Sequence, residues 1–389
     1  MKSELVMVAA AMAAAYAGSA EIEDVCLLSE PPAWNAKSRA ETMAWFLENE
    51  YGVRPEATAK PDLAFAPICP DRTVLDGAAV RTRVRITCRG PYGTNSFDVT
   101  AFVPTAGKGP KPAFLHTFNH PEADIIDPDR TTWKGAWPVD RIVARGYAAI
   151  AFDVCQVAPD YNTGNREGVF ASYEKPGAAN RPTNAWGTLS AWAWAASRVM
   201  DWIETRPELV AKRVAVIGLS RGGKTALLAG VTDGRFAMAC VNNSGCSGAK
   251  LQRADLPESE HIHQICRYYP YWFCANYISW ANLEREIECD QHQWLALMAP
   301  RPVAVASATV DNWAGQRGEY ASCVFASGAW EAHGRKGLVA PEGYPQPEHP
   351  LQEGWISYHL RTGPHNLTAY DWERYMDFAD KRMKADDSK

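Results

Sequence analysis

The chain has 389 residues, a formal net charge of −5 and a composition ordinary for a soluble globular protein. Such a length buries a large core, and the acidic balance argues against nucleic acid or an anionic membrane as the main partner. No Gly/Ser linker, charge run, low-complexity block or internal repeat divides it, so one large domain with long loops is expected.

Lys2 precedes an apolar run from Leu5 to Tyr16, followed by Ala17, Gly18, Ser19 and Ala20. A charged start, a short apolar core and a small-residue exit have the form of a secretory signal peptide over residues 1–20. Glu4 departs from that form. The run is shorter than the roughly 20 apolar residues a membrane-spanning helix needs. Secretion or periplasmic export is therefore expected, with residues 21–389 forming the single catalytic domain.

Residues 38–50 read as a helix. Arg83–Cys88 and Ser96–Val103 are β-rich runs around Gly90-Pro91-Tyr92-Gly93, hence an antiparallel pair. Strand and helix signals then alternate. Strands are expected at Pro112–Thr117, Tyr147–Phe152, Arg213–Gly218, Phe236–Val241, Pro302–Ser307 and Trp355–Leu360. Helices are expected at Trp186–Thr205, Arg221–Gly230 and Asp371–Lys384. This alternation predicts an α/β architecture, a mainly parallel sheet covered on both faces. Between Cys246 and Ala299 an irregular, aromatic and charged stretch interrupts it, as an insertion over the working end of the sheet does.

Val214-Ala215-Val216-Ile217 leads into Gly218-Leu219-Ser220-Arg221-Gly222, a GxSxG match between a strand and a helix. That context identifies a nucleophile elbow and, with the alternation, an α/β-hydrolase fold. Small flanking residues let strand and helix approach, and the next amide at the helix start can donate to an oxyanion. Chain order in this fold is Ser, acid, His. Asp311 follows the strand Pro302–Ser307, and His365 lies in the turn-rich Thr362-Gly363-Pro364-His365-Asn366 before the last helix. The alternatives are a turn-capping Asp311 and a surface His365.

Fifteen tryptophans suit either a Trp-rich core or stacking platforms for sugar rings. The ten cysteines (Cys26, Cys69, Cys88, Cys155, Cys240, Cys246, Cys266, Cys274, Cys289 and Cys323) show no CxxC spacing and read mostly as small buried hydrophobes. His261 and His263 form an HxH pair without further ligand spacing, so no metal and no other cofactor is expected.

The segment Gly218-Leu219-Ser220-Arg221-Gly222-Gly223-Lys224-Thr225-Ala226 resembles the G-x-S-R-x-G-K-x-A signature of carbohydrate esterase family 15, the glucuronoyl esterases. Asn242-Asn243-Ser244-Gly245-Cys246-Ser247-Gly248-Ala249, Tyr271-Trp272-Phe273-Cys274, Asp290-Gln291-His292, Ala299-Pro300-Arg301-Pro302, Asp311-Asn312-Trp313 and Tyr370-Asp371-Trp372-Glu373-Arg374-Tyr375 are similar to bacterial members. The resemblance covers roughly residues 80–385. It implies cleavage of esters between 4-O-methyl-glucuronate side groups of glucuronoxylan and lignin alcohols; separately, a monomer is expected. It also implies Ser220 as nucleophile, His365 as base, Arg221 on the oxyanion, and Lys224, Glu260 and Trp313 around the sugar. Read without it, Lys224 is a solvated helix residue and Glu260 a solvated loop carboxylate. Fungal members carry the triad acid as a glutamate at the position of Asn243, which cannot ionise; Asp311 is then the expected acid. The rival readings are an acetyl-xylan or other carbohydrate esterase on the same fold, and an inactive carbohydrate-binding protein.

Overall fold

In a computed structural model, residues 34–118, 136–177, 181–254, 256, 258–341 and 343–383 are described. The export segment read over residues 1–20 lies outside them. A sheet of ten strands organises these residues: β1 (Asp62–Pro67), β2 (Arg72–Val74), β3 (Ala79–Arg89), β4 (Thr94–Pro104), β5 (Lys111–Phe118), β6 (Ala148–Asp153), β7 (Leu209–Leu219), β8 (Met238–Asn242), β9 (Val303–Ala308) and β10 (Ile356–Arg361). Their spatial order is β1-β3-β4-β6-β5-β7-β8-β9-β10, with β2 paired to β3.

The β3–β4 hairpin is antiparallel from Ala79↔Pro104 to Arg89↔Thr94, as its turn residues predict. β4 joins β6 antiparallel, and every pairing from β6 through β5, β7, β8 and β9 to β10 is parallel. Central strands buried on both faces require runs without polar alternation. Val214-Ala215-Val216-Ile217 is such a run and is fully buried. Val214 and Val216 enter one core cluster while Ala215 and Ile217 enter the other, so successive side chains feed opposite faces.

The helices are α1 (Ala36–Phe46), α2 (Val139–Ala144), α3 (Val169–Tyr173), α4 (Thr188–Ile203), α5 (Arg221–Thr232), α6 (Ile262–Tyr268), α7 (Gln291–Ala296), α8 (Gln316–Glu331) and α9 (Ala369–Arg382). Residues of α4, α5, α7 and α8 pack on one face of the sheet, and those of α2 and α9 on the other. The strands β1 and β2 and the long α8 go beyond the sequence expectation. In α8 the residues Gly318, Ser322, Ser327 and Gly328 dilute the apolar period, so tertiary packing decides its state. A Cβ on Gly318 would come within 2.9 Å of Lys250 Cγ, and that close packing explains a glycine inside a helix.

Of the fifteen tryptophans, Trp137, Trp186, Trp192, Trp194, Trp202, Trp272, Trp294, Trp330 and Trp372 are buried. The Trp-rich core thus accounts for most of them, and Trp313 is the exposed exception among the described residues. The nine described cysteines are free thiols. Among the described residues no helix is long and apolar enough to cross a membrane, and no cluster of three metal-ligating side chains occurs. His261 has a local task, because its side chain caps the first turn of α6.

The end of β10 is tied to α9 by a buried ion pair. Asp371 Oδ2 accepts from Arg361 Nε at 3.0 Å and from Thr368 N and Oγ1, while Oδ1 lies 3.0 Å from His359 Nε2. Arg361 also donates to the carbonyls of Thr362, Pro364 and Asn366, gathering the loop between strand and helix around one guanidinium. Removing one partner of such a pair leaves the other charge buried. Asp371→Ala should therefore lower the unfolding free energy by about 3–5 kcal/mol in urea denaturation. A loss below about 1 kcal/mol would show that the loop is held otherwise.

Candidate active site

Six parallel strands end on one rim of the sheet, and the chemistry-bearing side chains follow those ends. Ser220 follows β7, Asn243 follows β8, Asp311 lies three residues past β9, and His365 four past β10. Asp160 lies seven residues past β6.

Ser220 takes φ 58° and ψ −124°, a region costly for a residue with a side chain, by about 1–3 kcal/mol. The turn is held by close backbone approach: a Cβ on Gly218 would lie 2.1 Å from the Gly222 carbonyl oxygen. Thr117 Oγ1, on β5, lies 3.0 Å from that oxygen and 3.2 Å from the Ile217 oxygen, bridging both sides of the turn. Ser220 N donates to Asn242 O on β8 at 2.9 Å. Helix geometry leaves the first amides of α5, Arg221 among them, without intrahelical acceptors.

His365 Nδ1 lies 2.6 Å from Asp311 Oδ2. Their two loops are stitched together, because Thr309 N donates to Arg361 O, Val310 N to Gly363 O, and Gly363 N to Thr309 Oγ1. Asp311 is buried, whereas the His365 side chain is 42% exposed. Burial alone would raise the Asp311 carboxyl; the hydrogen bond and charge of His365 and the donor Asn243 Nδ2 outweigh it and hold it below its ordinary value. Asn243 Nδ2 reaches Asp311 Oδ2 at 2.8 Å, so this residue donates to the carboxylate that meets His365.

Lys224, one turn along α5 from Ser220, is only 4% exposed, and its Nζ donates to Ser244 O. Burial lowers its pKa, while the Glu260 carboxylate opposes that fall. Glu260 is buried as well; burial raises its carboxyl against the pull of Lys224 and a hydrogen bond from the Trp313 side chain. The backbones meet too, since Glu260 N donates to Trp313 O at 2.9 Å. Lys224, Glu260 and Trp313 therefore converge, and the solvated readings of Lys224 and Glu260 are excluded. Trp313 remains 48% exposed beside these polar groups.

Two carboxylates escaped the sequence reading, Glu319 fully buried and Asp160 half-buried. Glu319, on α8, accepts from Ser244 N, Ser244 Oγ and Gly245 N through one oxygen and from Ser307 Oγ through the other. It thereby fixes the loop that offers Asn243 to Asp311 and the Ser244 carbonyl to Lys224. Asp160 holds the Arg221 guanidinium, with Nη1 at 2.5 Å from Oδ2. No local motif marks either residue; for Asp160, position beyond a parallel strand end is the available signal.

A strained serine on a strand–helix turn, above the carboxyl ends of a doubly covered parallel sheet, places the chain among the α/β-hydrolases. The chain belongs to carbohydrate esterase family 15, the glucuronoyl esterases, and is a carboxylic ester hydrolase: the family model "Glucuronyl esterase, fungi" matches residues 86–334. It is similar to the carbohydrate esterase MZ0003 of an unknown prokaryotic organism, with 33% identity over 90% of this chain and 85% of that one. A glucuronoyl esterase from Solibacter usitatus superimposes with TM-score 0.80 at 33% identity, covering 90% and 93% of the two chains. The 4-O-methyl-glucuronoyl methylesterase of Hypocrea jecorina is 29% identical over 64% of this chain, which spans half of that protein.

Glu50 is another buried carboxylate, close enough to Lys224 to feel its charge. Its Oε2 accepts from Gln291 Nε2 at 2.9 Å. Burial raises its pKa to about 8, with Asp290 adding to the rise and Gln291, Tyr51 and Lys224 opposing it. A folded value above the unfolded 4.5 means stability present at pH 4.5 is lost as pH climbs through 8. Glu50→Gln removes that titration. The thermal midpoint of the wild type should fall more steeply than that of the variant between about pH 5 and pH 9; parallel profiles would contradict the assignment.

Proposed function

We propose that this chain is a serine esterase that hydrolyses the ester between 4-O-methyl-glucuronate side groups of glucuronoxylan and lignin alcohols. The observation that carries this reading is the meeting of two sets of residues at one strand rim. One set, Ser220 with the bonded pair His365–Asp311, suits acyl transfer; the other, Lys224, Glu260 and Trp313, suits a polar sugar ring. The names of the relatives support the uronate, and the signal-like residues 1–20 support export toward a polymer outside the cell.

In this mechanism Ser220 Oγ attacks the ester carbonyl and its proton passes to His365 Nε2. The Oγ–C bond forms as the carbonyl π pair moves to oxygen, where the Arg221 amide and guanidinium receive the charge. Asp311 keeps Nδ1 protonated and stabilises the imidazolium. Collapse breaks the bond to the alcohol, which leaves with the proton from His365. Water then repeats the sequence on the glucuronoyl-enzyme and frees the acid and Ser220. Lys224 and Glu260 are set to bind ring hydroxyls and Trp313 the apolar face.

Asp311→Asn should lower turnover on benzyl glucuronate by on the order of 10⁴, as for other triad acids, whereas Asn243→Ala should cost about tenfold or less, one hydrogen bond's worth. Equal losses would reject Asp311 as the acid. The wild type should prefer benzyl glucuronate to p-nitrophenyl acetate, and the reverse preference would favour an acetyl esterase. A fluorophosphonate should label the wild type and leave Ser220→Ala unlabelled; an unlabelled wild type would favour an inactive binding protein.

A further inference from the structure

The guanidinium of Arg221 is immobilised from several directions at once. Nη1 sits on Asp160 Oδ2 at 2.5 Å. Its central carbon lies 4.6 Å from the Trp272 ring centroid and 5.1 Å from that of Tyr269. Those two rings are stacked on each other, 3.9 Å apart and inclined by 3°. Asp160 is itself fixed by the same insertion: Oδ1 lies 2.8 Å from Trp272 Nε1 and 3.2 Å from Tyr271 Oη, which is also 2.9 Å from the Asp160 carbonyl. One carboxylate thus gathers an arginine, an indole and a phenol, all of them donors.

The opposite side of the guanidinium is unfinished. Arg221 Nε is buried and has no hydrogen-bond partner. An orphan N–H of this kind is costly in a resting protein, and an anion formed beside Ser220 would satisfy it. The Arg221 charge acts on both Lys224 and Glu260, so its guanidinium lies among the buried polar groups beside the start of α5 and not on a remote surface.

We infer that Asp160 is a positioning residue of the esterase, acting through Arg221. It engages Nη1 so that the guanidinium keeps one orientation and Nε–H stays available to the oxygen that gains charge. This rests on the acyl-transfer reading above. The gain is preorganisation: a free arginine samples many rotamers, and the bracket removes that freedom before the substrate arrives. Asparagine cannot replace the aspartate, because its amide NH₂ would face one of three donors.

The test compares Asp160→Asn with wild type on benzyl glucuronate and, separately, in the rate of fluorophosphonate labelling of Ser220. An oxyanion donor is worth about 10²–10³ in kcat, so loosening it should lower kcat and the labelling rate by about 10–100-fold with KM within about twofold. In an Arg221→Lys background the same substitution should cost less than about twofold, because its target is gone. Trp272→Phe, which keeps a ring but removes the indole donor, should lower kcat several-fold and serves if Asp160→Asn does not fold. Unchanged kcat and labelling, a full loss persisting in the Arg221→Lys background, or a rise in KM alone would overturn the inference. A wild type that labels but leaves the glucuronoyl ester intact would instead refute the substrate reading, while labelling rates would still decide the role of Asp160.

Discussion

Everything at the working rim depends on how closely β7 and α5 approach each other at Ser220. The serine cannot relax, because Gly218 faces the Gly222 carbonyl with no room for a Cβ and Thr117 bridges the turn from the neighbouring strand. A positive φ at a residue with a side chain is kept only when its surroundings over-determine it. Here those surroundings are three adjacent parallel strands, since Ser220 N is also bound to Asn242 O on β8. The turn sends Ser220 upward and aims the amides of α5 at the same space. It also places Arg221 and Lys224, three residues apart on α5, on one face of that helix.

Electrostatics then fixes what the turn has placed. Lys224, Glu260, Glu319, Asp311 and Asp160 are charged or chargeable groups of low exposure gathered around a short arc of chain. Each has named partners, as burial of such groups demands. Glu319 satisfies four donors from the loop after β8 and the end of β9, so that loop has little freedom left. The insertion between Cys246 and Ala299 contributes the other wall, because Glu260, Tyr269, Tyr271 and Trp272 all come from it.

Much of this was legible in the chain. The elbow combined a short-range glycine pattern with a strand and a helix of unambiguous period, and Asp311 and His365 followed from order along the sheet. The burial of Lys224 was not legible without the family resemblance, because a lysine on a helix is ordinarily solvated. Glu319 was hidden in a helix whose glycines and serines imitate a loop. Asp160 was hidden for a different reason: its partners lie 61 and about 110 positions away in sequence, and only tertiary structure joins them.

The short contact from Asn243 to Asp311 has a meaning beyond support. The ends of β8 and β9 are adjacent, and Asn243 from beyond β8 donates to the same Asp311 oxygen that meets His365 Nδ1. Two neighbouring strand ends thus meet at one oxygen beside the imidazole, one bringing the negative charge and the other a neutral donor that steadies it. What a lineage must preserve is a location of negative charge, and the residue bearing it is free to migrate between neighbouring strands without disturbing serine or histidine. Two members can then share every motif around the nucleophile and still differ in which codon holds the acid.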